Sequence, residues 1–295
     1  MYVITGATGN TGQIVARRLL EAGKKVRAVG RTAARLEPLV KLGAEASIAD
    51  IAQVDAVARA LDGATAAYLM LPPNFGAEDF LGYQQSVVES MATAIQRAGV
   101  KHAVFLSSVG AHLPDGTGPI TGLHRAEHRL GQIEGLNLLS LRPAYFMENL
   151  FMLIPAIKQA GVAGSSVKGD VPLAMIATRD IGDHAARRLL ELDFSGTQTQ
   201  ELLGQRELTM QEVARVLGKS IDRPALKYVQ FPYEEAEKAM LGMGVSQDMA
   251  RLYTEMSQGF NDQRIAPQER RTSMNTSPTS IEDFAATWSG AFNAS

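Results

Sequence analysis

Short apolar segments alternate with helical patterns along the first half of the chain. The apolar segments have the length of buried strands, whereas apolar side chains between Val87 and Ala98 recur every three or four residues, as on one helix face. Regular alternation of this kind is typical of a doubly wound parallel sheet, so we predict an α/β fold. After a first strand at residues 2–5, the predicted strands are 26–29, 45–48, 66–71, 103–106 and 136–141, and the predicted helix-capping glycines are Gly23, Gly43, Gly63, Gly99 and Gly135.

The alternation loosens in the second half of the chain. We therefore predict a Rossmann-type domain over residues 1–150 and a smaller α/β substrate domain over residues 151–295, with some segments of the second returning to the Rossmann sheet. Residues 264–280 are polar and contain two prolines, which predicts a long loop, either a surface excursion or a flap over the cleft. In this second part the predicted helices are 180–192, 209–217 and 233–240, and the predicted extended pieces are 171–176 and 226–229.

A glycine-rich turn joins the first strand to the first helical pattern. Such a turn lets the backbone approach a pyrophosphate, and the N–H groups and dipole of the following helix then face the anion. Gly6 permits the tight turn, Gly9 permits the close approach, and Gly12 lets the helix pack against the strand. Because glycines also occur in plain turns, the prediction depends on the strand before and the helix after this segment. The residues predicted to hold a dinucleotide are Gly6, Thr8, Gly9, Asn10, Thr11 and Gly12.

Two arginines after the second strand indicate which dinucleotide is bound. In NAD-specific proteins of this type, a carboxylate about 20 residues beyond the glycines binds the ribose hydroxyls. Here the strand is followed by Arg31, and the nearest acid downstream is Glu37. A guanidinium at this point suits a 2′-phosphate, and Arg35, one turn later, adds a second charge. We therefore predict NADP(H) in preference to NAD(H), with solvated surface arginines as the alternative interpretation.

Composition narrows the class of partner. The 295 residues contain 29 Lys and Arg against 31 Asp and Glu, without a long run of one sign, so nucleic-acid or membrane-surface binding has no electrostatic basis. The absence of cysteine excludes disulfides, thiolate nucleophiles and cysteine metal sites. With a strand at the start and no apolar run long enough to span a membrane, we expect a cytoplasmic protein that acts on a small molecule. The oligomeric state is left open, with a homodimer as one option.

Ligands of an open parallel sheet bind beyond the carboxyl ends of its strands. Here those ends carry Leu71-Pro72, Ser107-Ser108 and residues 141–149, whose sequence is LRPAYFMEN. The last segment closely matches the LRPxxFMEN segment of the NmrA-like family of atypical short-chain dehydrogenases/reductases. The GATGxxG turn, the double serine, the helix start Thr178-Arg179-Asp180-Ile181 and the tail around Phe284 resemble the same family, so the resemblance spans essentially the whole chain.

The resemblance implies a function and further site residues. The members that look nearest are NADP(H)-dependent quinone and triphenylmethane-dye reductases, and others are redox-sensing regulators that bind the cofactor without turnover. We therefore expect reduction of quinone-like or other electron-poor conjugated molecules, with an NADP(H)-sensing regulator as the alternative and an isomerase or sugar epimerase as a third. In the family, the positions of Asp50 and Ile51 hold the adenine edge, although Asp50 is equally suited to be a helix N-cap. The further residues predicted to line the cofactor site are Leu71, Pro72, Ser107, Ser108 and Pro143.

The candidate catalytic residues depart from the short-chain dehydrogenase pattern. In those enzymes a tyrosine and a lysine four residues apart pass a proton to the carbonyl, but none of the seven tyrosines here is followed by lysine at that spacing. By distance from residues 141–143, Thr121 stands in the tyrosine position and Arg125 in the lysine position, where it would hold the ribose. His124 is either a hydrogen-bond donor in the nicotinamide cleft or a solvated helix residue. Tyr145 is a candidate for the wall of the substrate pocket.

The missing tyrosine argues against alcohol and sugar dehydrogenase chemistry, because threonine is a poor proton donor. Quinones and cationic dyes, by contrast, are electron-poor enough to accept hydride directly and draw protons from water. The same helix contains His124-Arg125-Ala126-Glu127-His128, which spells the H-x-x-E-H zinc-peptidase pattern. Because the Rossmann context is wrong for that pattern and no third ligand is marked, we predict no metal site.

Overall fold

A seven-stranded, all-parallel sheet forms the centre of the computed structural model, which describes residues 1–295. The strands of this sheet are β1 (Tyr2–Ile4), β2 (Val26–Gly30), β3 (Glu45–Ile48), β4 (Ala66–Leu69), β5 (His102–Leu106), β6 (Asn137–Pro143) and β10 (Thr197–Leu202). Their spatial order is β10-β6-β5-β4-β1-β2-β3. The order reverses between β1 and β4, which opens a crevice at the carboxyl ends of those strands. The predicted Rossmann-type α/β fold is thus confirmed.

Helices cover both faces of this sheet. They are α1 (Asn10–Glu21), α2 (Ala33–Val40), α3 (Val54–Leu61), α4 (Phe80–Ala98), α5 (Ile120–Gly131) and α7 (Thr178–Glu191). Helix α1 packs against α7, and α3, α4 and α5 form a second row. Side chains of β1 alternate between two cores, Ile4 with Val15 in one and Val3 with Met91 in the other. Burial on both faces explains why the strands are almost continuously apolar in sequence.

Two local predictions about element ends were wrong. Strand β4 ends at Leu69 rather than at residue 71, because the N–H group of Met70 donates to Oγ1 of Thr5 at 3.1 Å instead of to a neighbouring strand. Gly135 is not a helix cap, since α5 already ends at Gly131; with φ of 74° it turns the chain into β6.

The remaining elements form a smaller unit over one end of the sheet. They are β7 (Tyr145–Phe146), a 3-10 helix (Met147–Leu153), α6 (Ile154–Ala160), β8 (Ala163–Ser165), β9 (Leu173–Ile176), β11 (Glu207–Leu208), α8 (Met210–Ser220), β12 (Tyr228–Gln230), α9 (Tyr233–Gly242), α10 (Gln247–Asn261) and α11 (Ile281–Ala294). Short sheets β11-β9-β7 and β12-β8 pack with these helices. Trp288 is fully buried among them and donates its indole N–H to the carbonyl oxygen of Leu150 at 2.9 Å.

Residues 178–202 lie with the main sheet although they follow residue 150. Strand β10 pairs with β6 along its whole length, and α7 packs against α1. Gly182 permits that approach, because an added Cβ would lie 2.6 Å from Cβ of Ile14. Glu148 fixes the start of α7 by accepting hydrogen bonds from the backbone N–H and the hydroxyl of Thr178. No helix of the structure is sufficiently long and apolar to cross a membrane.

Replacing Trp288 tests whether the smaller unit depends on one core. We expect Trp288→Ala to lower the free energy of unfolding by about 3–5 kcal/mol, because it leaves a cavity and an unpaired carbonyl group. Thr287→Ala, at the exposed neighbouring position, should stay within about 0.5 kcal/mol of the unmodified protein. Urea unfolding measures both values, and equal stability of the two variants would show that Trp288 is not a core residue.

Candidate functional site

The turn between β1 and α1 has the geometry of a phosphate cradle. Gly6 has φ of 61°, and an added Cβ would lie 2.7 Å from Sδ of Met70. At Gly12 an added Cβ would overlap the carbonyl oxygen of Gly6 and lie 2.8 Å from its carbon, so this glycine lets the helix pack against the turn itself. Gly9 has extended dihedral angles that any residue can adopt, and its added Cβ would meet only the carbonyl oxygen of Gly6, at 3.3 Å.

The first turn of α1 has free backbone donors. Gly9 occupies the N-cap and supplies no side chain, and the first helical hydrogen bond runs from the N–H of Gln13 to the carbonyl of Gly9 at 3.1 Å. The N–H groups of residues 10–12 therefore have no backbone acceptor. Thr11 is held in place because its hydroxyl accepts a hydrogen bond from the buried Tyr68 hydroxyl at 2.9 Å. This arrangement fits the phosphates of a dinucleotide.

The predicted adenosine end lies at the carboxyl ends of β2 and β3. Arg31 and Arg35 are both exposed and form no ion pair. Asp50 accepts a hydrogen bond from the N–H of Ala52, whereas the N-cap of α3 is Gln53, so Asp50 does not cap that helix. Burial raises the pKa of Tyr83, with the negative charge of Asp50 raising it further and Arg31 lowering it. The charges of Asp50 and Arg31 therefore act on the phenol of Tyr83.

A cavity of about 700 Å³ opens beyond the carboxyl ends of β4, β5 and β6. Most of its lining is apolar, and it includes residues of the segment after β4 and of α5, β7 and α10. Four of the predicted site residues line it: Leu71, Ser107, Ser108 and Tyr145. Two others, Pro72 and Pro143, do not line it. The cavity is thus continuous with the strand ends at which sequence reasoning expected a ligand, and its chemistry is mainly hydrophobic.

Helix α5 faces the cavity with other residues than those predicted. Ile120 and Leu123 line the cavity. Thr121 is buried and its hydroxyl is 3.1 Å from the hydroxyl of Thr117, while Arg125 is exposed. Neither Thr121 nor Arg125 lines the cavity, and their roles in the tyrosine and lysine positions stay predictions. The cavity-facing positions of α5 are apolar.

His124 does not line the cavity either. Its Nδ1 is 2.9 Å from the carbonyl oxygen of Ala111. The two other side chains of the H-x-x-E-H segment have different partners, since Glu127 contacts Ser107 and Arg142, and His128 contacts Gln132. The structure contains no group of three His, Asp or Glu side chains placed to hold a metal ion.

A buried ion pair, which sequence reasoning missed, lies behind the cavity. Arg142 donates to both carboxylate oxygens of Glu127, at 2.9 and 2.5 Å, and the hydroxyl of Ser107 donates to the same carboxylate at 2.5 Å. The bond to Glu127 raises the pKa of Arg142. Ser107 has therefore committed its proton to Glu127, and the hydroxyl of Ser108 donates to the carbonyl of Val109. Both serines present only lone pairs to a ligand.

Tyr145 and Tyr253 contribute phenolic groups to the cavity wall. Neither hydroxyl makes a hydrogen bond to the protein, and the ring of Tyr145 packs edge-on against Phe260 at 5.9 Å. Burial raises the pKa of both hydroxyls. Both groups are therefore neutral near neutral pH, and each can donate a hydrogen bond.

One side of the cavity is closed by residues 263–271, which we name the strap. Glu201 of β10 is 2% exposed and accepts hydrogen bonds from the N–H groups of Gln268 and Glu269, each at 2.9 Å. Arg271 donates to the carbonyl oxygen of Leu203 at 3.1 Å. The first part of the predicted 264–280 loop therefore lies over the cleft and is anchored to the main sheet.

Comparisons with known proteins agree with this architecture. An NAD(P)H azoreductase of Xenophilus azovorans is 28% identical over 256 residues, covering 87% of this chain and 86% of that protein. A (4-alkanoyl-5-oxo-2,5-dihydrofuran-3-yl)methyl phosphate reductase of Streptomyces griseus subsp. griseus is 30% identical over 243 residues, covering 82% and 80%.

Among solved structures, an NADPH-dependent quinone oxidoreductase of Escherichia coli in complex with NADPH superposes with a TM-score of 0.83 at 22% identity, covering 97% of this chain and 99% of that one. A Citrobacter triphenylmethane reductase complexed with NADP(H) gives a TM-score of 0.77 at 20% identity, covering 97% and 98%. The sequence pattern of the NmrA-like family matches residues 2–285. With that match over nearly its whole length, the chain belongs to the NmrA-like family.

Proposed function

We propose that the protein is an NADP(H)-dependent reductase of quinone-like or other electron-poor conjugated molecules. The observation that carries this proposal is the glycine cradle with free N–H groups beside a mainly apolar cavity at the same edge of the sheet. The relatives named above support it, since each is named as a reductase or oxidoreductase and three of the four names or titles include NAD(P)H, NADPH or NADP(H).

The chain's own residues would hold the cofactor along the sheet edge. The N–H groups of residues 10–12 would bind the pyrophosphate, and Arg31 and Arg35 would bind a 2′-phosphate. Leu71, Ser107 and Ser108 lie where the nicotinamide end would meet the cavity. Both serine hydroxyls donate their protons to protein acceptors, so each would offer a lone pair to an amide N–H partner. Bound NADPH would supply the hydride that the acceptor gains.

The cavity favours acceptors that need little acid catalysis. Its apolar α5 wall, with Ile120 and Leu123, excludes water and positions a flat conjugated molecule. No histidine or lysine lines the cavity, its two carboxylates, Glu207 and Glu269, come from β11 and the strap, and the neutral phenols of Tyr145 and Tyr253 are weak acids. Acceptors whose reduction draws its proton from water are therefore the ones that this site can turn over.

The experiment that tests the proposal is stopped-flow oxidation of bound NADPH by a panel of quinones, azo compounds and triphenylmethane dyes. We expect turnover with at least one of these classes. Tight NADPH binding without oxidation by any acceptor would contradict the proposal and favour the cofactor-sensing alternative.

Arg31→Ala tests the cofactor preference. We expect NADPH affinity to fall about ten- to a hundredfold, because a charge-assisted bond to phosphate is worth roughly 1.5–3 kcal/mol, while NADH affinity stays nearly unchanged. Arg59→Ala removes an exposed arginine of α3 and should change neither value. Calorimetric titration measures both, and equal losses for the two cofactors in Arg31→Ala would overturn the NADP(H) assignment.

Gly9→Val tests the phosphate cradle. The dihedral angles of Gly9 suit valine, so the variant should fold, but its side chain would occupy the space before the free N–H groups. We expect both cofactors to bind at least a hundredfold more weakly, about 2.7 kcal/mol. Gly290→Ala, at an exposed glycine with open surroundings, serves as the control. Normal NADPH affinity in a folded Gly9→Val protein would show that these glycines form only a turn.

A further inference from the structure

Gln84 on α4 is a buried polar side chain without a protein partner. It is 4% exposed and lines the cavity. Its Oε1 is enclosed and has no hydrogen-bond donor, and its amide nitrogen makes no hydrogen bond to the protein. A buried amide oxygen without a donor is costly, and an apolar side chain of the same length would avoid that cost. Packing between α4 and α5 therefore does not account for a glutamine at this position.

Gly122 on α5 makes room for this amide. A Cβ added to Gly122 would overlap Oε1 of Gln84 and lie 2.5 Å from its Cδ. Gly122 lies inside a twelve-residue helix, where glycine is less favourable than alanine. The unpaired amide oxygen of Gln84 and the glycine inside α5 are each unfavourable, and they meet at one contact. Each is explained only if the amide must stay in this position. Departures of this kind are expected at functional positions.

The surrounding hydrogen bonds show what the amide can offer. Ser107 and Ser108 have committed their protons, to Glu127 and to the carbonyl oxygen of Val109 respectively. Ile120 and Leu123 on the α5 wall have no polar group in their side chains. On the walls formed by α4, β5 and α5, the NH₂ group of Gln84 is therefore the free side-chain donor. Its oxygen packs at Gly122, which directs the nitrogen toward the cavity.

We propose that the Gln84 amide donates a hydrogen bond to the substrate atom that gains negative charge during reduction, a carbonyl oxygen or an azo nitrogen. This inference rests on the proposed function. As the hydride from the nicotinamide cofactor forms a new bond to the acceptor, the π bond breaks and its electron pair moves onto that oxygen or nitrogen, which then takes a proton from water. A donor aimed at this atom in an apolar cavity stabilises the charge as it develops. Gln84 is thus a catalytic residue that selects acceptors with such an atom.

Gln84→Met separates this role from a structural one, because methionine keeps the length of the side chain and removes its polar atoms. We expect kcat/KM for a quinone to fall about ten- to a hundredfold, as for loss of a hydrogen bond to a charged group. The melting temperature should stay equal or rise, because an unpaired buried amide is removed. A cationic triphenylmethane dye loses its charge on reduction and forms no such anion, so its reduction rate should be unchanged.

Two further variants test whether the effect depends on the position of the Gln84 amide. Gly122→Ala retains Gln84 but displaces its amide, so it should reproduce the selective loss with the quinone. Gln85→Met changes the exposed neighbour on the same helix and should alter neither rate nor stability. Calorimetric binding of the quinone to the cofactor-free protein gives a readout apart from turnover, and we expect Gln84→Met to weaken it.

Equal losses with quinone and dye, or a lower melting temperature with unchanged quinone rates and affinity, would overturn the assignment of Gln84. If the unmodified protein reduces no acceptor, the proposed function fails separately. In that case quinone affinity unaffected by Gln84→Met would overturn the binding role, and weaker quinone binding with an undiminished melting temperature would support it.

Discussion

Three backbone N–H groups without acceptors, at the start of α1, are the constraint on which the rest of the structure depends. These N–H groups are free because Gly9 supplies no capping side chain. Contacts with several neighbouring elements fix the position of the helix start. Tyr68 bonds to Thr11 from β4, and Gly12 and Gly182 let α1 pack closely on its own turn and on α7. The parallel sheet therefore presents free N–H groups at its topological switch point, an edge suited to an anion.

The charged groups around the cavity serve mainly to hold the scaffold. Glu127 binds Arg142 and Ser107, Glu201 binds the strap, and Glu148 binds the first residue of α7. Removing one partner from a buried pair of this kind is costly, so these carboxylates are tied to their roles. The space left for a substrate is mainly apolar, and the carboxylates on its wall are those of Glu207 and Glu269. A site so built suits acceptors whose reactivity comes from their own electron deficiency and from the position of the bound cofactor.

The sequence predicts the sheet, the glycine turn and the cleft-facing strand ends because these depend on local patterns. Residues such as Leu71, Ser107 and Tyr145 follow directly from strand ends and lie on the cavity as expected. Which face of α5 lines the cavity could not be predicted, because the count back from residues 141–143 crosses a turn whose length does not fix the helix register. That count placed Thr121 and Arg125 in the tyrosine and lysine positions, whereas the α5 residues that line the cavity are Ile120 and Leu123.

Other parts of the site depend on contacts distant in sequence. Tyr253 on α10 lines the cavity far in sequence from the strand ends. The strap is held there by bonds to elements more than 60 residues away, such as the one between Gln268 and Glu201. Nothing in the local pattern of residues 247–271 indicates which surface they cover. Gln84 reads as an ordinary polar residue of an amphipathic helix, and only the geometry shows that its amide is buried beside Gly122.

The central claim is that hydride reaches an electron-poor acceptor directly, without a titrating acid from the protein. The most direct test is single-turnover oxidation of NADPH deuterated at the transferred position by a quinone, between about pH 5.5 and about pH 8.5. The account predicts a primary isotope effect throughout this range. It also predicts that the single-turnover rate does not change with pH through the titration of a protein side chain. A limb near neutrality that disappears in His124→Ala or Tyr145→Phe would contradict it and identify a protein proton donor.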